Sequence, residues 1–245
     1  MTQPFRDLQT SFQQEIWPEL VCSYKGDHLL LYSKQPLLTV SSALWRGGTE
    51  YATHFINGSV PLDYHCEAPE EMMSRQIIKW GYPVESSVGL LTAAKLTHAA
   101  FFAEIGDQFR ILTCATAGTG NSARAGQMRP TFPAYQMGTI NIFVMIDGNL
   151  TPSAMLNGLM TATEAKCAAL QELQIADRYG GIATGTTSDA IVLAASQSEL
   201  YSGQHAFAGT ATTLGNAIGR LVYQSVYEAV STQNEGMYEQ RMDGW

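Results

Sequence analysis

Leu214, Ile218, Leu221, Val222, Val226 and Val230 recur at three- and four-residue intervals, so they share one face of a helix near the end of the chain. A helix with a single apolar stripe must bury it, and the sequence supplies a partner. Residues 88–93, 97–102, 108–115, 138–146 and 190–195 are short apolar or alternating runs of the kind that form strands. The last helix is therefore expected to pack on a sheet. The first third is also strand-rich. Residues 28–33 and 37–44 flank Lys34-Gln35-Pro36 and predict a hairpin, 53–56 predict a third strand, Asn57-Gly58 a turn and 60–67 an extended segment. Pro69-Glu70-Glu71 opens a helix to about Trp80, which Gly81-Tyr82-Pro83 stops. Residues 155–173 are rich in Ala, Leu, Met, Glu and Lys and predict a longer helix. The expected fold is α/β: one domain over 1–245, a mixed sheet with helices packed on it, a β-rich N-terminal third, an amphipathic C-terminal helix and a loose tail from about 233.

Composition narrows the function classes. Charged residues make up only 15% of the 245, which fits a compact chain with little solvated sequence. Fourteen basic against 22 acidic residues give a net charge of -8, with no basic run to track a phosphate backbone, so nucleic acid is not an expected partner. No apolar run approaches the roughly 20 residues of a membrane helix, and the first residues carry no export signal. A cytoplasmic enzyme is the expectation. Cys22, Cys66, Cys114 and Cys167 lack zinc-type spacing. His28, His54, His98 and His205 stand singly, and no protein-bound metal is expected.

Four segments could carry chemistry. Residues 116–126, TAGTGNSARAG, follow a strand; their glycines let the backbone approach a ligand, and Gly118, Asn121 and Arg124 could form an anion- or carbonyl-binding cradle. Residues 183–190 bring Thr184, Thr186, Thr187, Ser188 and Asp189 together, enough to position a water and supply a base. Thr161 and Glu164 lie three apart in a mostly apolar helix, which makes Glu164 a candidate acid or base. Tyr64, His65 and Cys66 are consecutive on an expected extended segment, so neighbours point to opposite faces and His65 cannot activate Cys66.

The order of these segments, with Ser41-Ser42-Ala43, Asn57, Val60-Pro61, Gly89 to Ala94, the GTINI run at 138–142 and the closing LGNAIGRLV helix, resembles the adenosylcobinamide amidohydrolase family over roughly residues 38–230. The resemblance implies hydrolysis of the amide joining the aminopropanol arm to a corrin propionate, giving adenosylcobyric acid for cobalamin salvage. It implies no cofactor, since the corrinoid substrate carries its own cobalt. Ser122 and Ser188 stand where the family often has Ala and Thr. The pattern does not name the attacking group. Asp189 and Glu164 are the candidate base and acid, with Thr186 as an alternative nucleophile. Asn57, Tyr64, His65, Gly118, Asn121, Arg124, Thr184 and Thr187 are the candidate substrate contacts. Two further readings stay open: a corrinoid-binding protein without catalysis, and a self-processing hydrolase cleaved at Gly138-Thr139 or Gly185-Thr186. A homo-oligomer is compatible with the sequence.

Overall fold

The computed structural model describes residues 2–7, 9–64, 66–129 and 138–235. Eleven strands and three α-helices are found among them: β1 (Ser11–Gln14), β2 (Trp17–Tyr24), β3 (His28–Ser41), β4 (Gly48–Ser59), α1 (Pro69–Lys79), β5 (Ser87–Thr92), β6 (Ala100–Gly106), β7 (Phe109–Ala117), β8 (Ser122–Ala123), β9 (Ile140–Gly148), α2 (Pro152–Glu172), β10 (Gly185–Thr186), β11 (Ala190–Ala195) and α3 (Thr213–Thr232).

Nine strands form one mixed sheet in the order β1-β2-β3-β11-β9-β7-β6, with β4 on β3 and β5 on β4. β3 is the key to its shape. Leu29 to Ser33 pair with β2, whereas Leu38 to Ser41 pair with β11, and the register with β4 shifts between Tyr32 and Leu37. Lys34, Gln35 and Pro36 are therefore the bend of one long strand rather than a hairpin turn, which a proline at an irregularity can occupy. The sheet doubles over at this bend.

Alternation along the strands shows the resulting layers. Phe143, Met145, Val192 and Ala194 face Leu29, Leu31, Phe55 and Val88 across an inner core, while Ile142, Val144, Ile191 and Leu193 face α2 and α3. On the far side Leu30 and Ile56 meet Met73 and Ile77 of α1. The order is helix pair, sheet, sheet, helix. All six stripe residues of α3 are at most 4% exposed, each worth about 1.5–3 kcal/mol of burial.

Threonine side chains cap the N-termini of α2 and α3. Thr151 accepts from the Ala154 amide and Thr212 from the Gly215 amide, each the first side-chain partner of an otherwise orphaned helix terminus. Two local expectations are corrected. Asn57 and Gly58 continue β4 instead of turning, because pairing with both β3 and β5 claims their backbone. The segment after Val60 turns, with the Tyr64 amide donating to Pro61, so it is not extended. Of the tail expected from about 233, residues 236–245 lie outside the described residues; in the described part the Gln233 side chain bonds Thr119 and Glu235 pairs with Arg6. Among the described residues no helix is long and apolar enough to cross a membrane.

Candidate active site

A cavity of about 270 Å³ opens at one end of the sandwich, where the C-terminal ends of β4 and β5 meet the N-terminal ends of β9 and β11. Leu44, Val60, Pro61 and Leu90 form an apolar wall. Ser42, Thr92, Thr139, Asn141, Ser188 and Asp189 are the cavity's hydrogen-bonding lining residues. Tyr64 also lines it. An apolar cavity with a few convergent polar groups is the usual form of a small-molecule site.

Asp189 is the most constrained group there. Its Oδ1 accepts from Thr186 Oγ1 at 2.5 Å and from the Ile140 amide at 3.0 Å; its Oδ2 accepts from the Thr186 amide at 3.0 Å and from Lys166. The Lys166 and Asp189 side chains are only 8% and 11% exposed. Both carboxylate oxygens are engaged, so neither can take a proton from water unless one of these bonds opens. Gly185 makes room for the ion pair: a Cβ there would lie 2.3 Å from Asp189 Oδ2 and 2.7 Å from Lys166 Nζ. Burying two charges costs solvation that the pairing and the extra donors offset.

A neutral network lies beside it. Asn141 Nδ2 donates to Asn57 Oδ1 at 2.8 Å and to the Leu91 carbonyl at 2.9 Å, and Asn57 Nδ2 donates to Thr116 Oγ1 at 2.9 Å. Asn57, Thr116 and Asn141 are at most 1% exposed. Thr139 Oγ1 donates to the Ser188 carbonyl at 2.8 Å, with Asn141 Oδ1 at 3.1 Å, and Ser188 Oγ donates to the Gly138 carbonyl at 2.8 Å.

The two Gly/Thr loops do meet. Ser122 and Ala123 pair with Thr186 and Gly185 in the small antiparallel ribbon β8–β10. Thr184 Oγ1 accepts from the Ala125 amide, Asn121 Nδ2 donates to Thr187 Oγ1 at 2.6 Å, and Arg124 donates to the Ile182 carbonyl at 2.8 Å. Gly118 donates to the Thr139 carbonyl at 3.0 Å. Gly118, Asn121, Arg124, Thr184 and Thr187 thus lock the loops around the cavity and are not among its lining residues. Asn57 likewise lies under the wall, behind Asn141. His65 lies outside the described residues.

Glu164 is exposed, not partly buried. The buried face of α2 carries Ala162, Ala165, Lys166 and Ala169, and Glu164 stands about 200° from Lys166 around the helix axis. Lys166 is the titratable residue of α2 at the site. Its position four after Ala162, on the apolar stripe, was a signal for it. Asn141 sits within GTINI at the start of β9, where a strand amide gives no sign that it faces a cavity, and Ser42, Thr139 and Ser188 lie just beyond strand ends.

A second polar cluster lies elsewhere. His28 Nδ1 is 2.7 Å from Asp27 Oδ1 and its Nε2 is 2.9 Å from the Tyr82 hydroxyl; the ring stacks on Trp80, whose Nε1 donates to Asp27. Burial pushes His28 below the ordinary imidazole range, against the opposing pull of Asp27. Among the described residues no group of three or more His, Cys, Asp or Glu is placed to hold a metal ion.

The model of one family, described as adenosylcobinamide amidohydrolase, matches residues 17–237. The chain belongs to the adenosylcobinamide amidohydrolase family. It is similar to a protein of Methanosarcina mazei named adenosylcobinamide amidohydrolase, 28% identical over 80% of this chain and 91% of the relative. It also matches an uncharacterised protein of Methanocaldococcus jannaschii, 28% identical over 78% of this chain and 81% of that one. Among solved structures, a Pyrococcus horikoshii protein aligns with TM-score 0.48 at 9% identity over 86% of this chain and 78% of that one. A Burkholderia β-aminopeptidase aligns with TM-score 0.43 at 11% identity over 94% and 85%.

Proposed function

We propose that the protein hydrolyses the amide between the aminopropanol arm and a corrin propionate of adenosylcobinamide, releasing adenosylcobyric acid for cobalamin salvage. The observation that carries this reading is the cavity itself: small, lined by both apolar and hydrogen-bonding residues, and built from the segments whose order resembles the family's. At about 270 Å³ it lies just under the roughly 300–1,000 Å³ of sites that engulf a drug-sized ligand. A corrin is larger than that, so the ring stays outside and the amide arm enters. The apolar wall at Val60 and Leu90 takes the arm's carbon skeleton, and the hydroxyls of Ser42, Thr92 and Ser188 face its polar atoms.

Hydrolysis adds water across the amide: the carbonyl carbon gains oxygen, the C–N bond breaks and the leaving amine takes a proton. Asp189, not Glu164, is the carboxylate placed to order this chemistry, fixing Thr186, Lys166 and the start of β9. No resident cofactor is invoked; the cobalt arrives with the substrate.

Purified protein incubated with adenosylcobinamide, without nucleotide, should yield adenosylcobyric acid and aminopropanol by chromatography. Substrate retained tightly and recovered unchanged after hours would replace catalysis with corrinoid binding.

A further inference from the structure

We infer that the chain cuts itself between Gly138 and Thr139, and that the threonine so exposed is the nucleophile of the amide hydrolysis. The second half rests on the function proposed above; the first stands without it.

Four observations converge on this one peptide bond. The Thr139 hydroxyl is buried, 5% exposed for the residue, and sits in the cavity wall, aimed by the Ser188 carbonyl and Asn141 Oδ1. The Gly138 carbonyl oxygen already receives the Ser188 hydroxyl proton at 2.8 Å, a donor where negative charge would develop on attack. Gly138 has φ +128, and a Cβ there would lie 2.3 Å from Asn121 Oδ1 and 2.8 Å from the Gly118 carbonyl. Only glycine fits, and the packing around it holds the peptide in one geometry. Finally, the described lining residues offer no spare base. Among the described lining residues Tyr64 and Asp189 are the titratable ones, and both Asp189 oxygens are engaged.

Cleavage supplies that base. Thr139 Oγ attacks the Gly138 carbonyl carbon, the C–N bond breaks, and the nitrogen takes the hydroxyl proton, leaving an ester between Gly138 and the Thr139 side chain. Water hydrolyses the ester to a Gly138 carboxylate and restores the Thr139 hydroxyl, now beside its own α-amine. An α-amine titrates near 8 in general, so it can accept the hydroxyl proton and activate the oxygen, an arrangement threonine nucleophiles use. The same amine then protonates the departing aminopropanol nitrogen.

The other Gly-Thr pair does not offer this. Gly185 and Thr186 are paired in the β8–β10 ribbon, and both the Thr186 hydroxyl and amide are committed to Asp189.

Intact-mass measurement of the purified full-length protein decides the matter. Expected are two polypeptides that stay together in native conditions, one ending at Gly138 and one beginning at Thr139. Thr139→Ala should give one chain and at least about 1,000-fold slower amide hydrolysis, whereas Thr139→Ser should still cleave. Ser188→Ala keeps the nucleophile and removes the carbonyl donor, so its precursor should disappear about 100-fold more slowly; cleavage at the wild-type rate would count against the assigned geometry. A wild-type protein that stays a single chain overturns self-cleavage. If that single chain still converts adenosylcobinamide, the proposed function survives. Two chains without conversion would leave self-cleavage standing and remove the proposed substrate.

Discussion

Asp27, His28 and Tyr82 line up carboxylate, imidazole and phenol within hydrogen-bonding distance, yet the stack of Trp80 on His28 fills the space a substrate would need. At the other site Asp189, Thr139, Asn141 and Ser188 offer no such relay, but they face an open cavity. The first cluster joins the start of β3 to the segment after α1, and titratable groups there serve the fold. The second gathers the ends of four strands around a space. The contrast teaches that an acid–base chain without room is a clamp, whereas a cavity walled by committed hydroxyls and amides can be a site whose base must come from elsewhere.

The comparison can be broken most forcefully at Asp189. Asp189→Asn leaves Lys166 charged and buried without its counter-ion and should cost about 3–5 kcal/mol in denaturant unfolding. A loss below 1 kcal/mol would mean that water reaches the pair. Next is Asn57→Ala, which strips a partner from both Asn141 and Thr116; about 1–3 kcal/mol should be lost, with slower conversion because Asn141 in the cavity wall loses its support. The clamp is expected to show itself through pH instead. Since burial lowers His28 in the folded state, as it does His54 and His98, the native protein binds fewer protons than the unfolded chain below about pH 6.5, where a free imidazole titrates. Stability is thus fully present above that value and falls as pH drops through it. His28→Gln should flatten this fall; an unchanged slope between pH 7.5 and 5.5 would shift the cause to other groups. Smallest of all is Glu164→Gln, which should move neither stability nor conversion beyond about 0.5 kcal/mol.

The periodic signals were legible. The α3 stripe, the α2 helix, strand β11 and the sheet they pack on can all be read from apolar spacing, because burial imposes that spacing directly. The double sheet was not. Residues 34–36 carry a bend that looks locally like a turn, and only pairing with β2 and β11 on opposite halves of β3 distinguishes the two. At the site, Asp189 and Tyr64 could be named from the chain, and the meeting of the two loops could be anticipated. Lys166 is hidden in the sequence because Glu164, two positions away on the solvent face, carries the more usual acid–base side chain. Asn141 reads as a strand residue, since nothing local marks a strand end that opens into a cavity, and Thr139 stands out only as half of a Gly-Thr pair.

The most direct test of the cavity as the reaction site is the rate of adenosylcobyric acid formation by Val60→Trp. Val60 lines the apolar wall, and its backbone amide donates to the Thr92 carbonyl, a bond the substitution retains. A tryptophan there would occupy the space assigned to the amide arm while leaving Thr139, Ser188 and Asp189 in place. Conversion should be lost in a protein that still unfolds cooperatively; conversion at the wild-type rate would place the chemistry elsewhere in the molecule.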